Sequence, residues 1–156
     1  MADDTSTGKL DQKSEDKALG EALAAEHAAI WGYGVVGAAL GTAAQASAAG
    51  SEAAHRDVRD KVSALLDSRH AEVPAAQGAY KLPFPVLSAV DAASLAVVLE
   101  NGVAAAWVRV LDQASDRDTR ELAVGVLSAA EVRAVSWRVA AGKNPVTSAF
   151  PGLPAT

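Results

Sequence analysis

The sequence predicts an all-α fold: a four-helix bundle of two helical hairpins joined by one long Pro-containing crossover. Three observations predict it. Alanine supplies about a quarter of the 156 residues, and alanine is the best helix former. Apolar residues recur at steps of three and four in separate stretches, the period of an amphipathic helix. Between the second and third stretches the period breaks for about 20 residues carrying Pro74, Pro83 and Pro85, a longer connection than neighbouring helices of an up-down bundle need.

Residues 1–14 are polar and without period, which predicts a disordered acidic and polar tail. The bundle spans 15–142. Its first helix starts near Glu15 and runs to Leu40, with Leu23, Glu26, Ile30, Tyr33 and Gly37 on one stripe. Gly41 ends it, and Thr42 with Gln45 reads as a capping box. The second helix then runs to about Arg69, with His55, Val58, Val62, Leu65 and Leu66 on its stripe. Tyr80-Lys-Leu-Pro-Phe-Pro is predicted to be extended, because proline restricts its own φ and the residue before it. Tyr80, Leu82 and Phe84 call for burial. A third helix covers Asp91 to Ala114 and is apolar almost all round, the mark of a buried helix. Ser115 with Asp118 predicts the N-cap of a fourth helix to about Ala141, stopped by Gly142. Residues 143–156 carry Pro145, Pro151 and Pro154 and are predicted to pack as an extended tail on the bundle. Trp31, Tyr33, Tyr80, Phe84, Trp107, Trp137 and Phe150 are the expected aromatic packing. Glycines 34, 37 and 41 are the expected points of close helix approach.

Lengths fix the topology. A helix of about 24 residues is about 36 Å long, and twenty extended residues reach at most about 66 Å. The crossover can therefore traverse the bundle, and two hairpins joined by one such connection make a ferritin-like topology.

Composition narrows the chemistry. There is no cysteine, which removes disulfides and thiolate sites and suits a reducing compartment. The first residues carry no basic and apolar leader, so a cytoplasmic location is expected. No uninterrupted apolar run of about 18 residues is present, so no membrane span is expected. A net charge of -5 argues against general nucleic-acid binding. The basic clusters Arg56, Arg59, Lys61 and Arg133, Arg138, Lys143 are read as solvated helix faces. No serine has a base and an orienting partner in evidence, so no catalytic residue is identified.

The ionisable residues of the apolar stripes are the candidate site. Glu26, Glu52 with His55, Glu100 and Glu131 fall one site to each helix, most of the ligand set of a di-iron carboxylate bundle. Measured from the two hairpin turns, they meet at one level near mid-bundle. The set is incomplete, since Ala134 stands where the second Glu-x-x-His would place its histidine. As a metal centre it would be oxygen-rich with one imidazole, suited to iron or manganese. As structure, Glu26 or Glu131 would pair with His55, Arg59 or Arg138. Glu52 alone is expected to be exposed, and Glu100 has no polar face to orient it.

The run Ala25-Glu-His-Ala-Ala-Ile-Trp-Gly-Tyr-Gly-Val-Val-Gly resembles the first helix of an actinobacterial, mycobacterial-type ferritin-like domain family of unknown function. Ala54-His-Arg-Asp-Val-Arg-Asp, Tyr80-Lys-Leu-Pro-Phe-Pro and Phe150-Pro-Gly-Leu-Pro resemble it in the same order, and the resemblance covers about Lys17 to Pro154. It implies a four-helix ferritin-like fold and no particular reaction. In the wider superfamily the metal ligands would carry over to Glu26, Glu52, His55, Glu100 and Glu131, and Ala134 breaks that pattern. The residues that look characteristic here include Arg56 and Asp60 beside Glu26, His27, Tyr33, His55 and Arg59, and they resemble a hydrogen-bonded polar core more than a di-iron shell. The expected polar core is Glu26, His27, Tyr33, His55, Arg59, Glu131 and Arg138.

The function expected is that of a non-catalytic bundle acting through protein contacts as a homodimer or with a protein partner, with Trp31 and Trp107 as exposed contact candidates and no cofactor favoured. The alternatives are iron or manganese binding for oxidation or storage, and a small ligand held in the bundle core beside Tyr33 and His55.

Overall fold

The computed structural model describes residues 4–154, with side chains from Asp11 onward. It contains four helices, α1 (Asp4–Ala39), α2 (Thr42–Ser68), α3 (Ala89–Gln113) and α4 (Arg117–Ala140), and among the described residues no strand. The fold is all-α, a four-helix bundle. The α1 helix begins about three turns earlier than its apolar pattern does. Residues 11–14 are exposed, so these four cover nothing and leave no period to read. Residues 1–3 of the expected tail lie outside the described residues.

The helix ends show what stops each element. The expected capping box at Thr42 is not formed: the N-cap is Gly41, without a side-chain cap, and the Gln45 amide donates instead to the Leu40 carbonyl at 3.2 Å. A Ser-x-x-Asp cap opens α3, where Ser88 Oγ accepts from the Asp91 amide and Asp91 Oδ2 accepts from the amide of Leu87, the residue before the N-cap. The fourth helix is capped by Asp116, one residue beyond the expected Ser115, through the Thr119 amide at 2.9 Å. Gly142, in the left-handed region at φ 66°, closes α4 with Lys143 N–H on the Arg138 carbonyl, a Schellman ending. The same motif ends α2, with Ala71 N–H on the Leu66 carbonyl and His70 at φ 54°.

Contacts fix the directions. Gly37 meets Ala48, and Glu26 meets His55, so α1 and α2 are antiparallel. Tyr33 bonds Glu100 and Glu26 bonds Trp107, so α1 and α3 are also antiparallel, and α2 and α3 run the same way. The crossover therefore traverses the bundle, as its length allows. It runs along α1, with the Pro74 carbonyl on His27 and Tyr80 5.8 Å from Trp31 between ring centroids. Tyr80, Leu82, Phe84 and Val86 are half-buried, with exposed residues between them, the alternation of an extended strap lying on a surface.

The apolar core is in two parts. One holds Leu19, Leu23, Val62, Leu66, Val103, Trp107 and Val110. The other holds Tyr33, Val36, Leu40, Leu95, Val97 and Trp137. The third helix is long and apolar enough to cross a membrane by composition, but much of that surface is core, packed on α1 and α4. The tight glycine between α1 and α3 is Gly32, not one of those expected: a Cβ there would lie 2.6 Å from Leu99 Cδ1 and the Leu99 side chain would have to shift, whereas Gly34 and Gly41 face open space and Gly37 has only an ordinary contact. Phe150 is 69% exposed and is no part of the core. The C-terminal segment is held by Ser148 N–H on Glu131 at 3.1 Å and by Gly152, which lies against the Ala104 carbonyl.

Candidate functional site

Between the two apolar clusters lies one polar layer. Glu26, His55 and Glu100 are each fully buried, contributed by α1, α2 and α3 at one level. His55 Nδ1 is 2.6 Å from Glu26 Oε2, and Nε2 is 3.2 Å from Glu100 Oε1. Trp107 Nε1–H donates to Glu26 Oε1 at 2.8 Å. Tyr33 O–H donates to Glu100 Oε1 at 2.5 Å, and its ring stacks on His55. Arg133 Nε–H donates to the same Glu100 oxygen at 2.8 Å. Glu100 Oε2 is buried without a partner.

The charges of this layer support one another. Burial alone would lower the His55 pKa, but its bonds to Glu100 and Glu26 outweigh that and hold it up at about 8. At neutral pH both ring nitrogens then carry protons and both donate. Glu100 is resisted by burial, yet His55 and Arg133 hold its pKa below the ordinary carboxylate value. Burial and the Glu100 charge push the Tyr33 phenol far above its usual range, so it acts as a neutral donor. Two carboxylates face an imidazolium and a guanidinium.

The remaining expected residues lie elsewhere. Glu52 pairs with Arg56 at 2.6 Å on a partly exposed face. Glu131 takes Arg138 at 2.7 Å, and Arg138 also bonds Asn101 and the Val146 carbonyl. Arg59 pairs with exposed Asp60. His27 donates to Pro74 O, outside the layer. Val124, seven residues before Glu131 and so on the same helix face, is 53% exposed. The true core face of α4 is Ala123, Val126, Ala130, Ala134 and Trp137, whose alanines give a weaker apolar signal than the outward valines. Arg133 and Arg138 are therefore not solvated cations. Trp107, expected to be exposed, is fully buried, and Trp31 is half-buried under Tyr80. Among the described residues no group of three or more His, Cys, Asp or Glu is arranged to hold a metal ion. The reason is geometric: Glu26 and Glu100 sit on opposite nitrogens of one imidazole, so the ring separates them.

Two contributors have signals that sequence reading passed over. Trp107 lies seven residues after Glu100, hence on the same helix face. Arg133 directly precedes Ala134, so the helix that lacks the second histidine supplies a cation beside the gap. A second polar knot had no periodic signal at all. Glu15, 1% exposed, accepts from Arg69 Nη1 at 2.8 Å, Thr119 Oγ1 at 2.7 Å and the Ser115 and Asp116 amides at 2.8 and 3.1 Å. Burial would raise its pKa, but these donors bring it down to about 2. It joins α1 to the end of α2 and to the N-terminus of α4, where a negative charge is favoured.

Residues 18–155 match the family described as a domain of unknown function, DUF4439. A solved structure of a conserved hypothetical protein, rv2844, from Mycobacterium tuberculosis is similar at 39% identity, covering 81% of this chain and 96% of that one, with a TM-score of 0.79. No curated protein matches. The chain belongs to the DUF4439 family.

Proposed function

We propose that this member of the DUF4439 family is a ferritin-like bundle whose carboxylate–histidine layer serves structure, and that it acts through protein contacts at its outer surface. The observation that carries this reading is the occupation of both His55 nitrogens by carboxylates, with Arg133 supplying the remaining charge. An imidazolium has no lone pair for a metal. The contact surface is argued from α4. Val124, Val132 and Val139 are 53%, 68% and 62% exposed, and they fall within about 80° of one another around the helix. An apolar stripe of this kind on the solvent face is a contact candidate. Sedimentation velocity on the wild-type chain and on Val132→Glu tests this. Self-association in the wild type that Val132→Glu abolishes supports a homodimer. A strict monomer that also recovers no partner in pull-downs sinks the reading.

One observation favours the iron or manganese reading as a rival. Glu100 Oε2 is a buried carboxylate oxygen with nothing to accept, and Glu26, His55 and Glu100 do share one level. Binding there would require His55 to lose a proton and the layer to rearrange, with Glu26, His55 and Glu100 as the holding residues. Elemental analysis after anaerobic Fe(II) or Mn(II) loading decides it, because a resident site competes for deprotonated ligands and should fill. Less than about 0.1 metal per chain excludes it.

A further inference from the structure

We propose that the cleft between α2 and α4 binds a small amphipathic carboxylate, its head on Arg133 and its hydrocarbon body along Val58, Leu122 and Val126. The cleft is an open groove of about 370 Å³, at the low end of small-ligand sites. It opens on the outside of the bundle, with core residue Val126 in its floor, and the proposal does not depend on protein contacts being the chain's function.

The head group is argued from Arg133. Its Nε–H is committed to buried Glu100, and among the described residues its two terminal nitrogens have no hydrogen-bond partner. They are not among the buried unsatisfied atoms, so they meet solvent, and Arg133 is part of the cleft lining. A guanidinium fixed on one edge presents its other edge as a planar pair of donors, the geometry that matches a carboxylate. Glu100 thus pre-positions the recognition group and removes much of the ordering cost of binding.

The body is argued from the walls. Val58, Leu122 and Val126 are apolar, and Gly125 and Ala129 leave room between them. The other charges in the cleft are Lys61, Asp57 and Glu121, and all three are exposed, where water screens them. What repulsion Asp57 and Glu121 retain grows with the charge of the ligand, so a single carboxylate on an aliphatic chain fits better than a polyanion such as a nucleotide.

Sodium octanoate is the probe. Titrated into the full chain with labelled methyl groups, it should shift the Val58, Leu122 and Val126 resonances with a Kd of about 1 mM or tighter, as expected for about ten heavy atoms. 1-Octanol should bind at least about tenfold more weakly, for want of the charged head. Gly125→Leu should abolish binding by filling the cleft, and a Cβ at 125 meets nothing within 4 Å, so the new side chain starts into open space. Silent cleft methyls, equal affinity for octanol, or unchanged binding in a folded Gly125→Leu variant would each overturn the proposal. Should Gly125→Leu fail to fold, the wild-type methyl map and the octanol comparison decide alone.

Discussion

His55 is the residue on which the two halves of the core meet. Its ring touches carboxylates on both sides at 2.6 and 3.2 Å and stacks on Tyr33, all away from water. Removing one partner of a buried ionic set leaves the others uncompensated, which costs about 3–5 kcal/mol. His55→Gln should therefore lower the free energy of unfolding by about 3 kcal/mol, read from urea midpoints at pH 6. Adding Glu26→Gln should recover part of the loss, because one uncompensated carboxylate is gone and neighbouring sites do not add. Independent, additive losses in the double variant would show that Glu26 and His55 are not energetically coupled. Much of this residue's setting was legible. Glu26 and His55 stood on apolar stripes at matching distances from a glycine turn, and helix rise alone brought them to one level. Glu100 and Arg133 were harder. An all-apolar helix has no polar face from which to orient a carboxylate, and a core face made of alanine hides behind outward-pointing valines.

At the scale of the elements, existence and order followed from apolar period and proline, while the ends depended on single hydrogen bonds. Ser88, Asp116 and Gly41 are all plausible caps by residue type, and only the chain's direction out of each turn decides which side chain reaches an amide. The crossover shows the same limit. Its extended form follows from Pro83 and Pro85, but its path along α1 depends on contacts such as Pro74 with His27. Two endings invite substitution. His70 sits at φ 54°, a left-handed conformation that costs a residue with a Cβ about 1–2 kcal/mol. His70 is exposed, and glycine suits the site, so His70→Gly should raise stability by about 0.5–1 kcal/mol. A thermal midpoint that falls would count against that account of the turn. Gly152, at φ 80°, has the Ala104 carbonyl 2.6 Å from where a Cβ would stand. Gly152→Ala should release the C-terminal segment from α3 while leaving the helices intact. Faster proteolysis after residue 143 with unchanged helical circular dichroism is the expected result.

The whole molecule has two ionic joints whose titrations act in opposite directions, and together they set a window of stability. The Glu15 joint ties α1 to α2 and α4 at one end of the bundle. Its pKa falls from 4.5 to about 2 on folding, so its contribution is fully present above pH 4.5 and is lost as pH falls towards 2. Glu100 has the same sense, because its pKa is also lowered. The His55 joint runs the other way. Its pKa rises from 6.5 to about 8, so its contribution is complete below pH 6.5 and is lost as pH rises through 8. That shift corresponds to about 2 kcal/mol, a substantial part of the margin of a small domain. Stability should accordingly peak between about pH 4.5 and 6.5 and decline on both sides. Urea midpoints measured from pH 3 to 9 give the curve, and two variants separate its limbs. Glu15→Gln should reduce the acid limb and spare the alkaline one, whereas His55→Gln should flatten the alkaline limb and also shift the acid one, because His55 helps hold the Glu100 pKa down. A wild-type curve that keeps rising above pH 7, or an alkaline limb that His55→Gln leaves in place, would mean that the buried His55 is neutral, and the charge balance drawn for the central layer would then be wrong.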